Sequence, residues 1–109
     1  MRRKTIKRYF QLTVEALEEC DIRLMPQPRV TTRDNTQKGV GGLYLPDTSE
    51  IRIRNCPEKE NLLLTLIHEA WHHLRPTWKE KHINNWSRKL LCEFSTDDLK
   101  ALSTYLRRH

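Results

Sequence analysis

One stretch constrains this chain more than any other: residues 65–76, "TLIHEAWHHLRP". It sets His68, Glu69, His72 and His73 within six residues, directly after the apolar positions Leu62, Leu63, Leu64, Leu66 and Ile67. Apolar spacing predicts a helix over residues 62–74, and Pro76 stops it. Residues four apart on a helix lie one turn apart on one face. His68 and His72 can therefore offer their imidazoles to one metal ion, while Glu69 stands beside that ion rather than on it. A carboxylate so placed can take a proton from a water at the metal and pass it to a leaving amine. The pattern His68-Glu69-Ala70-Trp71-His72 needs a helix for this chemistry, and the helix is there by pattern.

The plainer reading is a half-buried helix with two satisfied histidines. Three features weigh against it. The helix is strongly apolar ahead of the motif, so the histidines sit where it passes from core to cleft. A hairpin precedes it and offers an edge strand for an extended peptide. Further metal-ligand types follow close behind. His73 lies about 100° round the helix from His72 and faces elsewhere. Trp71 is expected to pack rather than react.

A catalytic zinc takes three protein ligands and keeps one open position. Glu80, His82 and Glu93 are the candidates for the third. If the helices on either side of Pro76 pack antiparallel, the first turns of the later one lie level with the two histidines. Glu93 then falls about 20 Å further along, at 1.5 Å per residue. With Ile83, Leu90 and Phe94 as the buried stripe, Glu80 lies about 60° from its centre and His82 about 100° on the other side. Facing favours Glu80. Its competing role is in a capping box with Thr77.

The rest of the chain reads as α+β. Ile6, Phe10, Val14 and Leu17 predict an amphipathic helix over residues 4–20. "DIRLMPQPRVTT" predicts a short extended segment broken by Pro26 and Pro28, and "RDNTQKGVGG" a loop. "GLYLPDTSEIRIR" predicts a hairpin, with Ile51 and Ile53 on one face and Arg52 and Arg54 on the other. A third helix is expected from the Thr77 cap to about Phe94, and a last short one opens at a Ser95–Asp98 cap. The expected architecture is an N-terminal helix, a small, mostly antiparallel sheet with an edge hairpin, the histidine helix and a ligand-bearing helix. All of residues 1–109 belong to one domain.

Composition adds limits. No apolar stretch is long enough for a membrane span, and "MRRKTIKRYF" lacks the features of a signal peptide. Cys20, Cys56 and Cys92 form no CxxC pair and leave one unpaired in any disulfide scheme, so a reduced, cytoplasmic protein is expected. The net charge of +6 gathers at Arg2, Arg3, Lys4, Lys7 and Arg8 and at Arg107 and Arg108. These termini read first as solvated, and otherwise as a patch for nucleic acid or an acidic partner.

Three segments resemble the small gluzincin-type HExxH metallopeptidases, including the ImmA/IrrE-like group and short phage-encoded relatives. "GLYLPDTSEIRIR" is similar to their edge hairpin and "LLLTLIHEAWHHL" to their active-site helix. "EKHINNWSRKLL" is similar to the pattern Glu-x-x-Ala-Asn-x-Phe-Ala-x-x-Leu-Leu, which sets the family's glutamate ligand on Glu80. The resemblance implies a zinc peptidase fold with His68, His72 and Glu80 on Zn2+ and Glu69 as general base. The chain departs from it in Trp71, where Gly or Ala is usual, and in the short link from His72 to Glu80. A second resemblance, to the DNA-associated SprT-like proteases, would make His82 the third ligand, ahead of Trp86. "EFSTD" also echoes the Glu-x-x-x-Asp of membrane-bound gluzincins, although a cap at Ser95 explains it more simply.

The expected activity is hydrolysis of a peptide or protein substrate held along the hairpin strand. Tyr44, His82 and Arg75 are the candidates for holding the developing oxyanion. The rival expectation is a zinc-stabilised binding or regulatory module without turnover, and Glu69 separates the two.

Overall fold

Ile6, Phe10, Val14 and Leu17 wind into the first helix, α1 (Arg3–Glu19), which buries Thr13, Ala16 and Leu17. The chain turns at Cys20 into β1 (Asp21–Met25). After it come the hairpin strands β2 (Gly42–Leu45) and β3 (Glu50–Arg54), then α2 (Lys59–Leu74), α3 (Glu80–Glu93), α4 (Thr96–Ser103) and a short 3-10 turn, Thr104–Arg107. This computed structural model describes residues 1–25, 41–55 and 57–107. The extended continuation read at residues 26–32, most of the loop read at 33–42, and Cys56, Arg108 and His109 lie outside the described residues.

The architecture is α+β, as expected. The three strands form a small mixed sheet in the order β1-β3-β2. β2 and β3 pair antiparallel across the hairpin, whereas β1 runs parallel to β3 with Ile22 opposite Ile51 and Leu24 opposite Ile53. The hairpin register follows from its turn, which the sequence spells locally. The partner on the other side of β3 is a non-local choice, made because that edge still lacks hydrogen bonds and Ile22 extends the buried face. Ser49, at φ 50°, closes the hairpin turn, and its carbonyl accepts the Asp21 amide at 2.9 Å, which locks the start of β1.

β3 is therefore the central strand, and Ile51 and Ile53 are fully buried on its inner face. On the outer face, Glu50 Oε1 lies 3.0 Å from Arg52 Nε and 3.2 Å from Arg23 Nε.

α2 runs through the middle of the molecule, touched by α1, α3, α4, β2 and β3. It buries Leu63, Leu66, Ile67, Ala70 and Trp71. Each such large apolar side chain contributes about 1.5–3 kcal/mol by leaving water. Trp71 packs, as expected. Its ring meets Tyr9, Trp78 and Trp86 at centroid distances of 6.0, 6.0 and 5.4 Å. Its Nε1–H donates to Thr13 Oγ1 at 3.0 Å, and that hydroxyl donates in turn to the Tyr9 carbonyl at 2.7 Å. This aromatic cluster gives an indole a place where a small residue would leave a void.

The expected start of α3 is corrected. The helix begins at Glu80 with Lys79 as its N-cap, and no side chain caps it. The Thr77–Glu80 capping box does not form. The Ser95–Asp98 box does form at α4, with both of its hydrogen bonds present. Among the described residues, Cys20 and Cys92 are free, and no helix is long and apolar enough to cross a membrane.

Candidate metal centre and cleft

α2 presents His68 and His72 one turn apart, and their Nε2 atoms lie 3.1 Å from each other. α3 brings its first residue to meet them. Glu80 Oε1 is 2.7 Å from His68 Nε2, and Glu80 Oε2 is 2.8 Å from His72 Nε2. The packing of Ile83, Ser87 and Leu90 on α2 sets this depth, and the missing cap leaves the Glu80 carboxylate uncommitted. Glu69, on the same turn of α2, is only 6% exposed. The ligand atoms of His68, Glu69 and His72 all lie within 4.8 Å of one another.

The donor set fits a divalent ion such as zinc. Two Nε2 atoms face each other, and only one proton can lie between them. Both also face one carboxylate, so with protons alone the cluster cannot satisfy all its contacts. A cation accepting both nitrogen lone pairs and a carboxylate oxygen removes that conflict. A tetrahedral site has ligand–ligand edges of about 3.3 Å, a few tenths of an ångström wider than the contacts here. Glu80 touches both nitrogens and so could serve as a third ligand, while Glu69 is buried beside them and lines both arms of the cleft.

Burial shapes the protonation of this group. It lowers the His68 pKa below its ordinary value, against the opposing pull of Glu80, so the imidazole keeps its lone pair at neutral pH. Burial pushes the Glu69 carboxyl up to about 8, and the neighbouring Glu80 charge adds to the effect.

Gly42 is a site residue that sequence reasoning passed over. A Cβ built there would lie 2.6 Å from Thr65 Cγ2, 3.0 Å from Glu69 Oε2 and 3.2 Å from the Arg52 carbonyl oxygen. The demand is for space, since β2 crosses α2 closely at this point. The available signal was the Gly41-Gly42 pair at the entrance to an apolar strand, where a close backbone approach is one of glycine's uses.

The other candidates lie elsewhere. His82 packs its ring on Trp78, 4.1 Å between centroids. Glu93 lies at the far end of α3, with its Oε1 4.0 Å from the Met1 amine. The Arg75 guanidinium sits over Trp71 and Trp78, at 5.6 and 5.9 Å from the ring centroids. His73 faces away from the histidine pair, as its position on the helix requires, and its Nδ1 and Nε2 meet Tyr44 and Glu19. Of the three oxyanion candidates only Tyr44 lines the cleft. Burial pushes its phenol up, so it stays protonated.

The cleft has two arms that share Gly42, Glu69 and Glu80. The larger, about 760 Å³, runs between the Gly41–Gly42 edge and the Lys81, Asn84 and Arg88 side of α3. The smaller, about 250 Å³, passes Leu43, Tyr44 and His72. Among the described residues β2 is an edge strand, so its outer backbone offers pairing to an extended chain lying in this groove. The basic residues Arg2, Arg3, Lys4, Lys7, Arg8 and Arg107 are all exposed.

No protein-family model, curated protein or solved structure matches this chain.

Proposed function

We propose that the chain is a zinc-dependent peptidase, with His68, His72 and Glu80 as metal ligands and Glu69 as general base. One observation carries the reading: two Nε2 atoms and both oxygens of one carboxylate converge within 3.1 Å, beside a second, buried carboxylate. Zinc held there would act as a Lewis acid toward the scissile carbonyl and would ease deprotonation of the attacking water. Glu69 takes a proton from the attacking water and returns it to the leaving amine. Its raised pKa in the metal-free chain reflects burial, and a cation held by His68, His72 and Glu80 would favour the carboxylate form needed for a base. The outer edge of β2 holds the substrate backbone by strand addition.

The test is direct. Zinc analysis should find about one equivalent per chain. Glu69→Gln should keep the metal and lose about 10²–10⁴-fold of the hydrolysis of casein or a peptide library. Equal cleavage by both proteins would exclude Glu69 as the base.

A second reading, a zinc-stabilised binding module, draws on the fate of the oxyanion candidates. The Tyr44 hydroxyl is engaged by His73, while Arg75 and His82 lie on the tryptophan cluster. A binding module has no need of Glu69, so unchanged ligand binding with no cleavage by either protein favours it.

A further inference from the structure

The two arms of the cleft differ in charge. The larger arm is bordered on its α3 side by Lys81, Asn84 and Arg88, at the i, i+3, i+7 spacing of one helix face. Among the described residues, the smaller arm has no basic residue besides His72. Lys81, Asn84 and Arg88 are exposed, and among the described residues none of them has an ion-pair or hydrogen-bond partner. The acids of the cleft do not neutralise this wall. Glu80 meets the two imidazoles and Glu69 is buried, and neither carboxylate pairs with Lys81 or Arg88. Two cations therefore line a groove shared with Gly41, Gly42, Leu64 and Thr65 and with the His68, Glu69 and Glu80 group.

We propose that this arm selects peptides with acidic side chains on one side of the residue held at the His68–His72–Glu80 centre. The proposal rests on the peptidase reading for its substrate class, since it names what the same groove prefers. The spacing sets the range. Lys81 and Arg88 are seven residues apart, about 10.5 Å along the helix axis. An extended peptide advances about 3.3 Å per residue, so the pair spans about three substrate residues. One glutamate near the centre and another two or three positions away can each meet a cation, with Asn84 between them as a neutral donor. Single-stranded nucleic acid would also be attracted, but among the described residues the larger arm has no aromatic side chain on which bases could stack.

The test reads binding, which separates it from catalysis. A fluorescein-labelled octapeptide with two glutamates two positions apart is titrated by anisotropy into the Glu69→Gln protein with equimolar zinc. Its partner peptide carries glutamine at both positions. The glutamate peptide should bind about three- to tenfold more tightly, with the difference shrinking at high salt. A Lys81→Ser, Arg88→Ser double variant should lose the preference. A Lys4→Ser, Lys7→Ser variant removes the same charge from exposed positions of α1 and should keep it. Equal binding of the two peptides overturns the proposal. So does a preference that survives loss of Lys81 and Arg88, or an eight-nucleotide single strand that outcompetes the glutamate peptide. Peptide preference without any cleavage by the wild type would leave this proposal standing and defeat the peptidase reading alone.

Discussion

The Tyr44 hydroxyl lies 2.7 Å from His73 Nδ1, and the other nitrogen of that ring lies 3.0 Å from Glu19 Oε1. With Nε2–H donating to the carboxylate, Nδ1 accepts from the phenol, so one imidazole ties the edge strand β2 to α2 and α1. Tyr44→Phe removes the phenol–imidazole hydrogen bond and keeps the ring. It should lower stability by about 1 kcal/mol, read as a lower denaturation midpoint at unchanged m-value. Amide exchange across Gly42–Leu45 should quicken with it. An unaltered midpoint would mean that the edge strand is held by its pairing with β3 alone.

Gly42 sets how closely β2 approaches α2. Gly42→Ala puts a methyl group 2.6 Å from Thr65 Cγ2 and 3.0 Å from Glu69 Oε2, so the strand must move. The expected cost is about 1–3 kcal/mol. Thr65→Ser deletes the clashing methyl and keeps the hydroxyl that donates to the Asn61 carbonyl at 2.9 Å. The double variant should recover part of the loss, a coupling that a thermodynamic cycle on the four proteins measures.

Glu80 and His82 stand two residues apart and should behave oppositely. Removing a supporting partner of a metal ligand commonly costs about 10–100-fold in affinity, and Glu80→Ala removes a proposed ligand itself. Competition with a chromophoric chelator should show at least about tenfold weaker zinc binding for Glu80→Ala. His82→Ala should bind zinc as the wild type does, because its ring rests on Trp78. The reverse ranking would move the third ligand to His82.

Stability without metal should depend on pH through Glu69. Its folded pKa, pushed up to about 8, lies above the ordinary 4.5, so between these values the folded chain binds a proton that the unfolded chain has lost. Stability from this group is therefore fully present below about pH 4.5 and is lost as pH rises through 8. At about 1.4 kcal/mol per pKa unit, the loss is of the order of several kcal/mol. Glu69→Gln cannot ionise, so with chelator present its stability relative to wild type should rise from pH 5 to pH 8.5. The two proteins share every histidine, which cancels the opposite trend of His68. A flat difference would mean that Glu69 is already ionised in the folded, metal-free chain.

Much of the site could be read from short stretches of the chain. The i, i+4 histidine pair needs only a helix, and the apolar run from Leu62 to Ile67 makes one. Hairpin register follows from four turn residues, and the Ser95–Asp98 box is complete within one turn of helix. These features depend on neighbours three or four residues away, which the sequence displays directly. Helical facing also pointed to Glu80 over His82, although it placed the start of that helix too early, at Thr77.

What only the tertiary structure decided is how separate elements meet. The parallel pairing of β1 with β3, the void-free fit of Trp71 among Tyr9, Trp78 and Trp86, and the close pass of Gly42 over Glu69 each join residues far apart in the chain. The convergence of Glu80 on both imidazoles is of the same kind. It needs α3 packed on α2 at one depth, fixed by Ile83, Ser87 and Leu90, and periodicity alone specifies a face but no depth. The basic wall of Lys81 and Arg88 likewise became part of a cleft only once β2 stood opposite it. Burial of apolar faces selects these arrangements cooperatively, so the sequence contains them without displaying them at any one position.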